Sequence, residues 1–223
     1  MTLANSKFGT AQPVKRREDT RFLTGDGRYL DDTAPANALY AYVFRSSVAH
    51  AEITTLDVSD AEAAEGVHMV LTADRFEAAG GTNKMNGAIN TNRDGSSGAA
   101  PIRPVLATGR VRFVGEAIAM VIADTLEQAK DAAELIEFDY DDLDVHMDVQ
   151  AGGPAIHPEA PDNVAYDWGI GDADKTEAAF KAAAFTTKVE IDDNRIIANS
   201  MEPRGCWAAM EDGRLHVAFS SQG

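Results

Sequence analysis

Cysteine is nearly absent from this chain: Cys206 is the one example in 223 residues. A single thiol excludes an internal disulfide, and it excludes a self-contained iron–sulfur cluster, which takes four thiolates. Long apolar runs are also missing. The longest, AIAMVIA from Ala117, is far short of the roughly 20 residues that span a bilayer, so no membrane insertion is expected. The opening stretch MTLANSKFGTAQPVKRRED has no apolar core of a signal peptide, which predicts a cytoplasmic protein. Five histidines (His50, His68, His146, His157, His216) are scattered without H-x-x-x-H spacing, so any metal has to arrive on its own cofactor. Positive charge is scarce as well: 20 Lys and Arg against 36 Asp and Glu leave a formal charge of −16. Such a surface repels phosphate backbones, and nucleic acid is not an expected partner. The one basic cluster, Lys15-Arg16-Arg17, runs straight into Glu18 and Asp19 and reads as a solvated, salt-bridged terminus.

What is present is a 44% apolar chain, enough for one large or two small domains. After a polar arm, LYAYVFRS (Leu39–Ser46) reads as a buried strand, and EITTLDVS (Glu52–Ser59) as its partner. A short helix over Asp60–Ala64 and the strand VHMVLT (Val67–Thr72) follow. Thr72 is placed to cap a second short helix, ADRFEAA, which Gly80-Gly81 would end. The stretch from Gly80 to Pro101, rich in Gly, Asn and Ser, lacks periodicity. It reads as a disordered surface insert, with a binding loop as the alternative.

The clearest unit is VGEAIAMVIADTLEQAKDAAELIEFDY. Ala117–Ala123 is apolar throughout, as a strand covered on both faces should be. Asp124 and Glu127 have capping-box spacing, and Leu126, Ala129, Ala133 and Ile136 share one helical face. Ile136, Phe138 and Tyr140 then alternate with acidic residues as a half-exposed strand. Gly115-Glu116 reads as a turn entering the central strand. Between Asp141 and Asn163 the pattern lapses among Gly152, Gly153, Pro154, Pro158 and Pro161, as in a linker. Asp174 and Glu177 frame another capping box before TEAAFKAAAF. Phe185, Thr187, Val189 and Ile191 then make one face of a long strand. CWAAM and LHVAFSS form a hairpin across Glu211-Asp212-Gly213, with Leu215, Val217 and Phe219 on the face expected to be buried. Trp168 and Trp207 read as core or interface aromatics, and Cys206 as an inert buried thiol.

Three stretches carry a family likeness. RREDTRFLTGDGRYLDD (Arg16–Asp32), RFVGEAIAMVIADTLEQAKDAAELIEFDYDDL (Arg112–Leu143) and NSMEPRGCWAAMEDGRLHVAFSSQ (Asn199–Gln222) resemble, in order and spacing, the molybdenum-binding large subunits of the xanthine dehydrogenase/aldehyde oxidase/aerobic carbon monoxide dehydrogenase family. The resemblance implies an α+β fold: an arm at 1–20, an α/β-hammerhead domain at 21–143, a linker at 144–162, and the incomplete start of a molybdopterin-binding domain at 163–223. It implies oxidative hydroxylation of an aldehyde, an N-heterocycle or a carbon-monoxide-type substrate with water. Molybdopterin in its cytosine dinucleotide form would carry the molybdenum, and electrons would pass to iron–sulfur and FAD subunits. In the family a glutamine ending the Ser/Thr-Gln strand hydrogen-bonds an oxo ligand of molybdenum, and the matching residue is Gln222. An amide donates such a bond without adding charge, whereas on the residues alone Gln222 is simply a polar side chain near the end of the sequence. Glu202, beside Pro203, is expected to be structural, its carboxylate accepting backbone N–H groups, because the family's catalytic glutamate lies far downstream. No catalytic residue is therefore expected in this chain. Its partners would be the remainder of the large subunit, the iron–sulfur and FAD subunits and a small-molecule substrate. The sequence reads as a fragment, a truncated product or one piece of a split subunit. A different class of function, a non-catalytic binding or assembly module of a hydroxylase complex, stands beside the enzymatic one.

Overall fold

The computed structural model describes residues 16–221 apart from residues 86, 88, 195, 198 and 201. The chain divides into two compact units, one made of Leu39–Ile191 and the other of the N-terminal segment to Ala38 together with the chain from Asp192 onward. Helices and antiparallel strands are mixed throughout, an α+β fold.

In the unit Leu39–Ile191, β1 (Tyr40–Arg45), β2 (Ala51–Asp57), α2 (Ser59–Ala63), β3 (Val67–Thr72), α3 (Ala73–Ala78), β4 (Arg110–Val111), β5 (Ala117–Ala123), α4 (Leu126–Ala133), β6 (Glu137–Asp142) and α5 (Ala173–Ala182) follow in order; α1 (Asp19–Leu23) precedes them in the other unit. Two three-stranded sheets result, ordered β1-β5-β3 and β4-β2-β6. β1 and β2 thus do not pair with each other, as the sequence suggested they would. β1 lies against β5, with Tyr42 opposite Val121, and β2 lies against β6, with Ile53 opposite Tyr140. The residues between Ser46 and Ala51 carry no two-residue turn signal, so the chain changes sheets there instead of folding back.

β5 is central because it is the most apolar strand. Ala119, Val121 and Ala123 are sealed beneath α4, in one cluster with Val70, Ala129, Ala132, Ala133 and Ile136. On its other face Ile118 joins Ala51, Ala107 and Val111 in a second cluster. Met120 and Ile122 on that face stay only half-buried, and β1 is more exposed than the sequence suggested, with Tyr40 and Tyr42 reaching solvent. The helix is capped one residue later than its sequence indicated: the Thr125 hydroxyl accepts the Gln128 N–H, while Asp124 pairs with His68. The strand that leaves α4, β6, enters the second sheet, so α4 carries the chain from one sheet to the other. α3 starts after an extended Thr72 whose hydroxyl makes no capping bond.

The stretch after Gly80 is a fastened loop and not a disordered insert. Asn83 is buried at its base; its amide donates to the Leu106 carbonyl and accepts the Val105 and Leu106 N–H groups. Farther out, the Ala99 N–H donates to the Ala165 carbonyl and the Asp167 N–H to the Asn92 side chain. A Cβ on Gly98 would lie 2.9 Å from the Ala165 carbonyl oxygen, so that position requires glycine. The 144–162 stretch is also internally bonded: Asn163, in the left-handed region at φ 59°, donates to the Gly152 and Pro154 carbonyls and accepts the Ile156 N–H.

α5 is capped by Asp172, two residues before the expected position, and buries no residue. The segment 185–191 forms no strand. Phe185, Val189 and Ile191 are exposed, since alternation alone does not make a ladder without a neighbouring strand to bond. Among the described residues no helix is long and apolar enough to cross a membrane.

The seam between α4 and β5 is closed by alanines, with Ala133 2% exposed. Ala133→Asp places an unpaired carboxylate there and is expected to cost more than about 3 kcal/mol. Thermal melting followed by circular dichroism checks this; a parental transition would refute the assigned face.

Candidate functional site

The region that carries the family likeness near the end of the sequence is a hairpin of β7 (Cys206–Glu211) and β8 (Arg214–Phe219). Its ladder runs from Cys206 opposite Phe219 to Glu211 opposite Arg214. The turn residues Asp212 and Gly213 both have positive φ, 49° and 75°, the geometry that makes Asp-Gly a tight hairpin turn. At the open end the Ser220 N–H donates to the Gly205 carbonyl and the Gly205 N–H to the Ser220 hydroxyl, two residues before Gln222. Gln222 itself lies outside the described residues.

The two faces of the hairpin are used opposite to expectation. Trp207, Ala209 and Ala218 form the half-buried side, and Leu215, Val217 and Phe219 are exposed. Glu202 accepts the Leu30 N–H at 2.9 Å, and the Trp207 indole N–H donates to the Thr33 hydroxyl at 3.1 Å. Glu202 therefore acts as an anchor for backbone, the role its place beside Pro203 suggested. Cys206 begins β7 but is exposed, not buried, and Trp168 is 54% exposed, not a core aromatic.

A second polar cluster sits inside the Leu39–Ile191 unit. Gly115, at φ 90°, turns the chain so that its N–H donates to the Ser46 carbonyl while the Ser46 N–H donates to that of Glu116. The Glu116 side chain folds back to accept the Arg112 N–H and is almost wholly buried. Burial pushes its carboxyl above the usual range, against the pull of the Arg112 amide and guanidinium and the Phe113 amide. Arg112 in turn donates through Nε to the Ile156 carbonyl. His50 is buried and its Nδ1 lies 2.6 Å from the Asp144 carbonyl oxygen, so Nδ1 carries the proton. His157 is held below the usual imidazole value by burial, by Arg112 and by His50, with Glu159 opposing. His50 and His157 lie far in the chain from the Arg112–Glu116 turn, and no sequence spacing announced their meeting. The cluster ties loops to the end of the first sheet.

No group of three or more His, Cys, Asp or Glu side chains placed to hold a metal occurs among the described residues. At the open end of the hairpin the Gly205 and Ser220 N–H groups are each engaged with the other residue, and the Glu202 carboxylate is engaged with Leu30.

Residues 24–144 match the family model of the aldehyde oxidase and xanthine dehydrogenase a/b hammerhead domain. The chain belongs to the aldehyde oxidase and xanthine dehydrogenase family. Residues 156–223 match the molybdopterin cofactor-binding domain. Among curated relatives, the nicotine 6-hydroxylase large subunit of Paenarthrobacter nicotinovorans is 35% identical over 216 residues, covering 94% of this chain and 25% of that protein. The carbon monoxide dehydrogenase large chain of Afipia carboxidovorans is 32% identical, covering 88% of this chain and 25% of the relative. Crystal structures of the Cu,Mo-CO dehydrogenase in its carbon monoxide reduced state (TM-score 0.74, 30% identity, covering 92% of this chain and 27% of that one) and of quinoline 2-oxidoreductase from Pseudomonas putida 86 (TM-score 0.71, 30% identity, 94% and 26%) share the fold. This family member thus spans about a quarter of the length of the relatives it matches.

The buried carboxyl and imidazole give opposite pH dependences. With its pKa raised in the fold, Glu116 contributes its full stabilisation at low pH and loses it as pH rises. Glu116→Gln, which keeps an acceptor for Arg112, is expected to be more stable than the parent at pH 7, the gain vanishing below about pH 4. Urea midpoints across pH measure this; a less stable variant at pH 7 would show that the attraction of Arg112 dominates. His157, with its pKa lowered, contributes above the ordinary imidazole range and loses that as pH falls. Protection of the amides over 152–163, measured against their intrinsic exchange rates, should fall below about pH 6, and unchanged protection would count against it.

Proposed function

We propose that this chain supplies the hammerhead domain and the beginning of the molybdopterin-binding domain of a molybdenum hydroxylase large subunit. The observation that carries the reading is the order of the two family matches along one chain, ending at the hairpin that leads to Gln222. The reaction of the complete enzyme is the oxidative hydroxylation of an aldehyde, an N-heterocycle or a carbon-monoxide-type substrate with water. Relatives named as a nicotine 6-hydroxylase and a carbon monoxide dehydrogenase support that range.

When bound, molybdopterin supplies the two-electron redox centre, here read as its cytosine dinucleotide form. Partner subunits carrying iron–sulfur clusters and FAD would serve as the electron acceptors. This chain's own part is to hold and to orient. Gln222 would offer an amide donor to the molybdenum group without bringing charge, and Glu202 holds backbone in place. The catalytic base lies outside this chain. We divide the chain functionally into an arm at 1–20, the hammerhead at 21–143, a connector at 144–162 and the start of the cofactor domain at 163–223. A chain with a single, exposed cysteine suits a reducing compartment, and we place the enzyme in the cytoplasm.

Gln222→Ala in the complete enzyme is expected to lower turnover about 10- to 100-fold, the usual effect of removing a donor next to a metal centre. The molybdenum content should stay near that of the parent. Steady-state kinetics with metal analysis test this, and unchanged turnover would remove Gln222 from the site.

A further inference from the structure

Glu202 and Trp207 reach across 172 and 174 residues of sequence to the same short segment. That segment is shaped to receive them. The Tyr29 N–H donates to the Asp32 carboxylate, and a 3-10 turn covers Leu30–Asp32. The Thr33 hydroxyl donates its proton to the Leu30 carbonyl and accepts the Trp207 indole N–H. Leu30 is thus held through both backbone groups, its N–H by Glu202 and its carbonyl by the hydroxyl that Trp207 grips. Two-stranded hairpins are marginal by themselves, and the face of β8 bearing Leu215, Val217 and Phe219 is exposed. Within this chain, the contacts that hold the hairpin leading to Gln222 lie on the Trp207 side.

We propose that the Tyr29–Thr33 segment is a positioning element of the cofactor-binding hairpin, engaged through Glu202 and Trp207. The inference rests on the reading that this hairpin faces molybdopterin. Neither anchor touches the reacting atoms; each acts by fixing the line of β8. A donor displaced by about 1 Å loses a large factor in rate, so loosening the anchors acts on turnover before it acts on folding.

The test uses the complete enzyme. Glu202→Ala and Trp207→Phe are expected to lower kcat about tenfold, to leave KM unchanged, and to broaden or shift the electron paramagnetic resonance spectrum of the molybdenum centre. Glu202→Gln, which keeps an acceptor for the Leu30 N–H, is expected to recover most of the loss. Hydrogen exchange at Leu30 and along 206–219 should quicken in Glu202→Ala and in Trp207→Phe, a readout independent of the metal. Parental kcat and spectrum in both variants overturn the proposal, as does a Glu202→Gln enzyme no better than Glu202→Ala. If Glu202→Ala fails to assemble, Trp207→Phe, which keeps an aromatic ring and loses only the indole donor, decides the matter through the same kcat, spectrum and exchange. A complete enzyme without molybdenum would instead sink the functional reading, while exchange at Leu30 would still report on the anchors.

Discussion

The close contact of α4 with β5 is the constraint on which the larger unit depends. Ala129, Ala132 and Ala133 on the helix meet Ala119, Val121 and Ala123 on the strand. Side chains this short let the helix lie low on the sheet, where any methylene would have to displace backbone. With β5 pinned from above, β1 and β3 take its two edges, and Ile118 projects from its other face into the second cluster. α4 then delivers β6 to β2 in the second sheet. One small-residue seam thus fixes both sheets and the crossover between them.

Around that frame buried polar groups fasten the loops, beside the apolar contacts of Leu106 and Ala107. Asn83 closes the base of the 83–106 loop with three hydrogen bonds. Glu116 ties the turn before β5 to itself through Arg112, and His50 holds the chain after β6 through the Asp144 carbonyl. Each such group has given up water, so its bonds within the protein are worth keeping and its loss is costly. Long, Gly-rich segments are thereby fixed although they carry no periodic pattern.

The other unit works differently. Its hairpin has little core, one exposed apolar face, and a docked side maintained by a carboxylate and an indole. Such a surface suits a domain whose larger part is built elsewhere, in keeping with relatives of which this chain covers 25%. Membership of the aldehyde oxidase and xanthine dehydrogenase family rests on the hammerhead, whereas the functional reading turns on the molybdopterin-binding match that follows it over residues 156–223.

Local sequence determined the elements where one pattern acts over a few residues: the apolar run of β5, the amphipathic face of α4, and the Asp-Gly turn between β7 and β8. The motif likeness determined the family, and Glu202 beside Pro203 was legible as an anchor for backbone. Tertiary structure alone decided what depends on a distant partner. It assigned β1 and β2 to different sheets and left Phe185–Ile191 without a strand. It exposed Cys206 and the Leu215 face, drew the 80–101 loop into bonded order, and brought His50 and His157 from distant parts of the chain to the Arg112–Glu116 turn. Periodicity tells which side of an element is apolar, but burial, pairing and charge depend on which surface arrives opposite, and that is settled only when the whole chain has packed.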